Sequence, residues 1–393
     1  MIKYNNYSVD EKMLDDQHGR KDKTPYFNLM PNVVKTNEKM RLHVQSLFPQ
    51  LSLLGTYSVF ISPYSEYDYK PFNASKDSIF TVEAQNGILE FDYTFEQEQL
   101  YRIIIGEQKG AEIHILMRGD VYALEHDLYD MKALKGDLHC HTVFSDGFET
   151  PDMVLNAAKK HNFDFIAITD HNSFEGSVRA AALKDPDITV IHGEEYSSSF
   201  TNMHIISLGA KQALPESKYN IVPDGKKNKS SVEYIKDLLM DIKMNGGLSI
   251  MCHPFWKPLS TEKRMDVPLS VVRELLLQNE FDAMEIVSGS PDGDLMTTIM
   301  QHNMAIEYGA TPDKIAYVGI TDSHTYSTDP ICGKHFTIVF CKNNTEDEII
   351  EAIKNKRSVA VQLVDKNNAL CFGQLRYCMY ATFVLRKIYK LID

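Results

Sequence analysis

The sequence predicts an α/β domain built on a parallel sheet, open or closed into a barrel, preceded by a smaller all-β domain. Period-two apolar runs fill the stretch from Arg41 to about Ala123. Near Leu134 the pattern changes to short apolar strands alternating with amphipathic helical segments. Closely spaced short strands build sandwiches, and alternating β and α segments build parallel sheets.

Residues 1–25 are polar and read as an N-terminal arm. Residues 26–130 read as a β-rich, sandwich-like accessory domain. Its strand segments are 57–61, 79–83, 88–93, 100–105 and 111–116, rich in β-branched and aromatic residues. No catalytic constellation stands out there, so the expected role is packing or shaping of a substrate site. Residues 131–345 form the main domain. Strands are expected at 136–141, 163–169, 189–196, 204–208, 247–252, 283–287 and 317–321, with helices at 151–160, 173–183, 231–245, 268–278 and 294–308. Thr150 is placed to cap the first helix, with Pro151 at its first position. A polar stretch, 211–230, is too long for a simple connection and reads as a lid or a surface insertion. A helix is expected at 345–354, and 375–391 mixes apolar and basic residues at helical spacing. Residues 346–393 are therefore read as helical segments packing on the body.

The totals fit that division. The chain has 393 residues, 43% of them apolar and 24% charged, enough for two globular domains. A net charge of -13 repels phosphate backbones and argues against a stable nucleic-acid complex. The six cysteines form no C-x-x-C pair, which suits reduced thiols in the cytoplasm. Residues Met1 to Arg20 carry no apolar signal core, and no apolar run approaches the roughly 20 residues of a membrane span. The expected location is the cytoplasm without membrane attachment; the oligomeric state stays open.

Histidines and acids recur where the strands end. His139 and His141 flank Cys140, and alternation along a strand puts the two imidazoles side by side with the thiol facing away. Asp146 follows in the next turn. Asp170-His171 closes the second strand, Glu194-Glu195 the third, His253 the fifth and Asp322-Ser323-His324 the seventh. The C-terminal ends of strands are where α/β folds build their sites. His204 is the exception, since it opens its strand. Imidazole and carboxylate donors together suit zinc, manganese or iron, and no thiolate stands at ligand spacing. Cys252 alternates with His253 and reads as a core residue.

The segments Asp137-Leu138-His139-Cys140-His141-Thr142, Ser145-Asp146-Gly147, Thr169-Asp170-His171, Gly193-Glu194-Glu195, His253-Pro254 and Asp322-Ser323-His324 resemble the motifs of the PHP (polymerase and histidinol phosphatase) family. The resemblance spans about residues 134–341. It implies a distorted seven-stranded (β/α) barrel holding two to three divalent ions: manganese, zinc or iron. It implies one ion on His139, His141, Glu195 and Asp322. A second would share Glu195 and take His204 and His253; a third would take Asp146, His171 and His324. The expected catalytic residues are Glu195, Asp170 and His171, with Asp170 orienting an imidazole. Glu195 rather than Glu194 is expected to bridge. The family often has Pro at His192, which leaves that residue between strand core and substrate contact. The β-rich segment ahead of the domain is similar to the carbaryl-hydrolase-like branch.

The implied activity is hydrolysis of a small phosphorylated metabolite or nucleotide by hydroxide made on closely spaced ions. The alternative is hydrolysis of an ester, amide or carbamate at the same site. The chain has no G-x-S-x-G elbow and no phosphate-cradling glycine loop. Lys257 and Trp256, beside His253, are the candidate substrate contacts.

Overall fold

The computed structural model describes residues 24–64, 79–110, 112–197, 203–214, 231–255, 269–289 and 294–392. Nearly all of the expected arm, most of the 211–230 insertion, and both Trp256 and Lys257 lie outside the described residues. The chain divides into two compact units, Met1–Asp130 and Met131–Asp393.

The first unit contains β1 (Phe27–Met30), β2 (Val33–Lys35), β3 (Lys39–Ser46), β4 (Leu53–Pro63), β5 (Ile79–Thr94), β6 (Gln99–Lys109) and β7 (Glu112–Leu124). They pair in the order β1-β3-β5-β4-β6-β7-β2. The segments read as separate strands at 79–83 and 88–93 are one strand, β5. Asn86 and Gly87 between them take left-handed backbone angles, φ 53° and 82°. The pairing with β4 also shifts register at this point. Asn-Gly therefore bends the strand here rather than ending it. The later half of β5 pairs with β3 and the earlier half with β4, which joins the two parts of the sheet around one core.

The second unit holds β8 (Lys132–Asp137), β9 (Phe165–Ile168), β10 (Thr189–Ser197), β11 (His204–Leu208), β12 (Leu248–Met251), β13 (Ala283–Val287), β14 (Ala316–Gly319), β15 (His335–Cys341), β16 (Ser358–Leu363) and β17 (Ala369–Gly373). Their order is β14-β13-β12-β11-β10-β9-β8-β15-β16-β17. The sheet is mixed, not parallel as expected: β11 runs antiparallel to both β10 and β12, and β15 antiparallel to β8. Only six residues separate β10 from β11, too few for the crossover that a parallel pair requires.

The sheet curls until it nearly closes. Beyond β14, the amide of Asp322 donates to His139 O at 2.9 Å, and the amide of His141 donates to Ser323 O at 2.9 Å. The ends of β8 and β14 are thereby brought together.

The helices relevant to the site's frame are α1 (Pro151–Lys160), α2 (Glu175–Ala182), α3 (Ser231–Met244), α4 (Leu269–Leu277), α5 (Leu295–Glu307), α6 (Glu346–Lys354) and α7 (Leu375–Phe383). Pro151 opens α1, but the expected Thr150 side-chain cap is not made: its hydroxyl donates to Asp152 Oδ1 at 2.6 Å. Thr345 does cap α6, accepting from the Glu348 amide, and α6 buries Ile349, Ile350, Ala352 and Ile353. Apolar side chains of α3, α4 and α5 form a second core against β11 to β14. The segment 346–393 was expected to be helical; it also contains β16 and β17. Every residue of β16 but Leu363 is buried, so its side chains show no solvent-facing alternation to mark it as a strand.

Candidate metal centre

Each chemical side chain sits at one rim of the curled sheet. His139 and His141 follow β8, Asp146 lies in the next turn, and Asp170 and His171 follow β9. Glu195 is near the end of β10, His253 follows β12, and Asp322 and His324 follow β14. His204 joins this rim because β11 is antiparallel: His204 pairs with Ser197, so the start of β11 lies beside the end of β10.

Glu195 is fully buried at the centre. Its Oε2 lies 3.2 Å from His139 Nε2, 3.3 Å from His141 Nε2 and 3.0 Å from His171 Nδ1. Its Oε1 lies 2.8 Å from His204 Nδ1 and 3.2 Å from His253 Nε2. Five imidazoles thus converge on one carboxylate. Asp322 stands across from it, with Oδ1 3.2 Å from His139 Nε2 and 3.0 Å from His141 Nε2. Asp322 has a φ of 49°. This left-handed angle is unusual for a residue with a side chain, though Asp tolerates it better than most. Gly289 permits it, because a Cβ there would overlap Thr321 O and crowd Asp322 Cβ.

The second grouping faces solvent. Asp146 Oδ1 lies 3.3 Å from His324 Nε2, and Asp146 Oδ2 lies 3.7 Å from His171 Nε2. The Asp146 side chain is 57% exposed, against 0% for Glu195, His139 and His141. The cluster is therefore closed at Glu195 and open at Asp146. His171 links the two parts, with one ring nitrogen toward each carboxylate. The resemblance gave His171 to the outer set alone; the structure also groups it with Glu195 and His204.

Burial pushes the Glu195 carboxyl up, but His139, His171 and His204 outweigh it and hold it well below the usual carboxylate range. The same contest, with His139, His141 and His253 as partners, depresses Asp322. Burial works to lower His139 and His253; the carboxylates around them win, raising His139 well above the ordinary imidazole value and His253 to about 9. His204 goes the other way, because burial dominates.

Two buried atoms test whether the site suits metal ions. Glu195 Oε2 and His171 Nδ1 make no hydrogen bond of acceptable geometry, although they are 3.0 Å apart. Buried polar atoms are nearly always paired. Two such atoms, surrounded only by imidazole and carboxylate donors, fit divalent ions. The described donors also form two four-residue groups of ligand spacing, His139-His141-Glu195-Asp322 and His141-Asp146-His171-His324.

Asp170 departs from expectation. Its carboxylate faces no imidazole: it accepts from the Thr142 amide and hydroxyl, both at 2.7 Å, and from the Ser145 hydroxyl at 2.8 Å. It fixes the loop that carries His141 and Asp146. Sequence reasoning missed the carboxylate that does meet an imidazole, Glu285, whose Oε1 lies 2.7 Å from His139 Nδ1. The signal was available, because Glu285 is the only charged residue in the otherwise apolar segment Ala283–Val287. Glu194 points elsewhere, accepting from the Leu214 amide at 3.2 Å. His192 is neither a core residue nor near the cluster; its Nδ1 pairs with Glu346 at 3.0 Å. The Cys140 thiol turns away to Ala167 O, whereas Cys252 also approaches His139 and Glu285.

The chain is similar in part to known proteins. The PHP domain model matches residues 137–318. An uncharacterised protein of Methanocaldococcus jannaschii is 31% identical over 134 residues, which cover 31% of this chain and 68% of that protein. A 5'-3' exoribonuclease of Haemophilus influenzae is 32% identical over 85 residues, 21% of this chain and 31% of the enzyme. Among solved structures, a two-domain protein of Bacteroides vulgatus with a PHP-like metal-dependent phosphoesterase gives a TM-score of 0.45 at 20% identity. It covers 59% of this chain and 66% of that one. An amidohydrolase from Chromobacterium violaceum gives 0.36 at 19% identity, covering 50% and 93%. The matched stretch begins at Asp137, where the first histidine pair is about to leave its strand, and takes in every donor but Asp322 and His324, which flank Ser323, the residue whose carbonyl accepts from the His141 amide; this chain belongs to the PHP domain family.

Proposed function

We propose that the protein is a metal-dependent phosphoesterase that hydrolyses a small phosphorylated metabolite or nucleotide in the cytoplasm. The observation that carries this is the convergence of five imidazoles on buried Glu195, more donors than one carboxylate can satisfy by protons alone. In this reading β8 to β14 form the distorted seven-stranded barrel. His139, His141, Glu195 and Asp322 would hold one divalent ion and Glu195, His204 and His253 a second. Asp146, His171 and His324 would hold a third; manganese, zinc and iron all suit these donors. When bound, such ions supply Lewis acidity and a water acidic enough to act as a nucleophile near neutral pH.

The protein's own contribution is geometry and charge. Glu195 and Asp322 keep negative charge at the buried floor. Asp146 and His324 stand on the open side, where a substrate would enter. Asp170 and Thr142 fix the loop that presents Asp146. The name of the exoribonuclease relative supports a phosphoester bond as the target, and the net charge of -13 favours a small substrate over a long nucleic acid. The same donors also suit hydrolysis of esters, amides or carbamates.

The test is metal content by mass spectrometry, with turnover of an aryl phosphate before and after stripping and manganese reloading. Two or three ions per chain with restorable phosphate release is the expected result. Bound metal with turnover of aryl esters or carbamates, and none of phosphates, would overturn the phosphoesterase reading in favour of the alternative.

A further inference from the structure

Glu285 is a fully buried acid in the middle of β13, between Met284 and Ile286, both also fully buried. A charge in such a place is costly unless its oxygens are engaged. Each oxygen has its own partner. Oε1 lies 2.7 Å from His139 Nδ1, and Oε2 accepts from the His253 amide at 2.7 Å. The strand is irregular here, since the pairing of β13 with β14 shifts register between Glu285 and Val287. Such irregularities re-aim side chains.

The two partners belong to different parts of the site, His139 beyond β8 and His253 beyond β12. An imidazole whose Nδ1–H is engaged by a carboxylate presents its Nε2 lone pair. His139 Nε2 is the atom that lies 3.2 Å from both Glu195 Oε2 and Asp322 Oδ1. We infer that Glu285 is the positioning residue of the centre: it holds His139 in the Nδ1–H form with Nε2 aimed at Glu195 and Asp322, and with its other oxygen it fixes the backbone that carries His253. This rests on the reading of the cluster as a metal centre. It gives Glu285 the part that the sequence had suggested for Asp170, and it ties two donors from opposite sides of the curl to one carboxylate.

Glu285→Gln tests it, because the amide has one acceptor where two N–H donors converge, so one donor must face its NH2 group. The first readout is Mn2+ affinity by competition with a chelator, expected to weaken about 10- to 100-fold, the usual cost of losing a carboxylate behind a ligating imidazole. The second is the 15N-histidine spectrum of the zinc-loaded wild-type protein, with the His139 signals assigned by their loss in His139→Asn. A proton on Nδ1 is expected. Wild-type Mn2+ affinity in folded Glu285→Gln would overturn the inference, and so would a proton on Nε2 of His139. If Glu285→Gln does not fold, the wild-type spectrum decides alone. Metal binding without phosphate release would defeat the phosphoesterase reading and leave Glu285 in place. A wild-type protein that binds neither Mn2+ nor zinc would defeat both.

Discussion

At the scale of single residues, Glu195 and His302 make opposite cases. Glu195 gathers five imidazoles, and its charge is what makes their crowding tolerable. Glu195→Gln keeps the volume and removes the charge. The expected outcome is loss of most bound metal, read by mass spectrometry, and a fall in aryl-phosphate turnover of more than ~100-fold, since a first ligand should cost at least what an outer partner does. His302 lies on α5, away from the cluster, with its ring 4.9 Å from that of Phe372 and 6.1 Å from that of Tyr317. His302→Ala should leave metal content unchanged and cost about 1 kcal/mol of stability through lost ring packing, measured by denaturant unfolding. Equal loss of metal in the two variants would sink the assignment of Glu195.

At the scale of elements, the site is built by the short segments that leave the strands, and these tolerate little. Gly289 follows β13, where its missing Cβ gives Thr321 and Asp322 their room. Gly289→Ala forces that crossing apart. It should cost about 1–3 kcal/mol, as overpacking usually does. It should also lower metal content, because Asp322 moves with the backbone; native-like content with a lowered melting temperature would separate packing from positioning. This rim was legible in the sequence because five of the seven expected strands ended in an acid or imidazole, a pattern short enough to survive without tertiary context. His204 looked out of place only because strand direction is not written in a strand; it follows from the length of the link to β10. The bend in β5 was hidden because Asn-Gly serves turns and bulges alike. Strands β15 to β17 were missed because β15 and β16 are buried on both faces and lack alternation, while β17 is half-buried throughout. Glu285 was passed over because a lone acid in a strand has no spacing partner in sequence. Its partners come from strands that only the curl brings near.

At the scale of the whole molecule, the centre couples metal, protons and stability. Among the described residues no helix is long and apolar enough to cross a membrane. Folding of the second unit buries the imidazoles and carboxylates together. In the ion-free protein, burial works to lower His253 but Glu195, Asp322 and Glu285 raise it to about 9, against about 6.5 in an unfolded chain. A raised imidazole stabilises the fold fully below about pH 6.5, and this contribution is lost as pH rises through about 9. His139, His171 and His324 shift in the same direction. Glu195, Asp322 and Asp146 are held low and stay charged across this window, so they add no slope. His204, lowered by burial, gains its contribution as pH rises to about 6.5, before the window opens. The ion-free protein should therefore lose stability from about pH 6.5 to 9. Metal ions need neutral imidazoles and compete with those same protons, so their binding strengthens over the same range. The gap in melting temperature between manganese-loaded and stripped protein should be small at pH 6 and widen steadily to pH 8.5. With free ion at 100 times its Kd, binding adds about 2.7 kcal/mol. At about 2–4 °C per kcal/mol for a unit of this size, the gap should reach roughly 5–10 °C. Paired thermal scans at four pH values measure it, and a gap that stayed level or narrowed would mean that the ions do not engage these imidazoles.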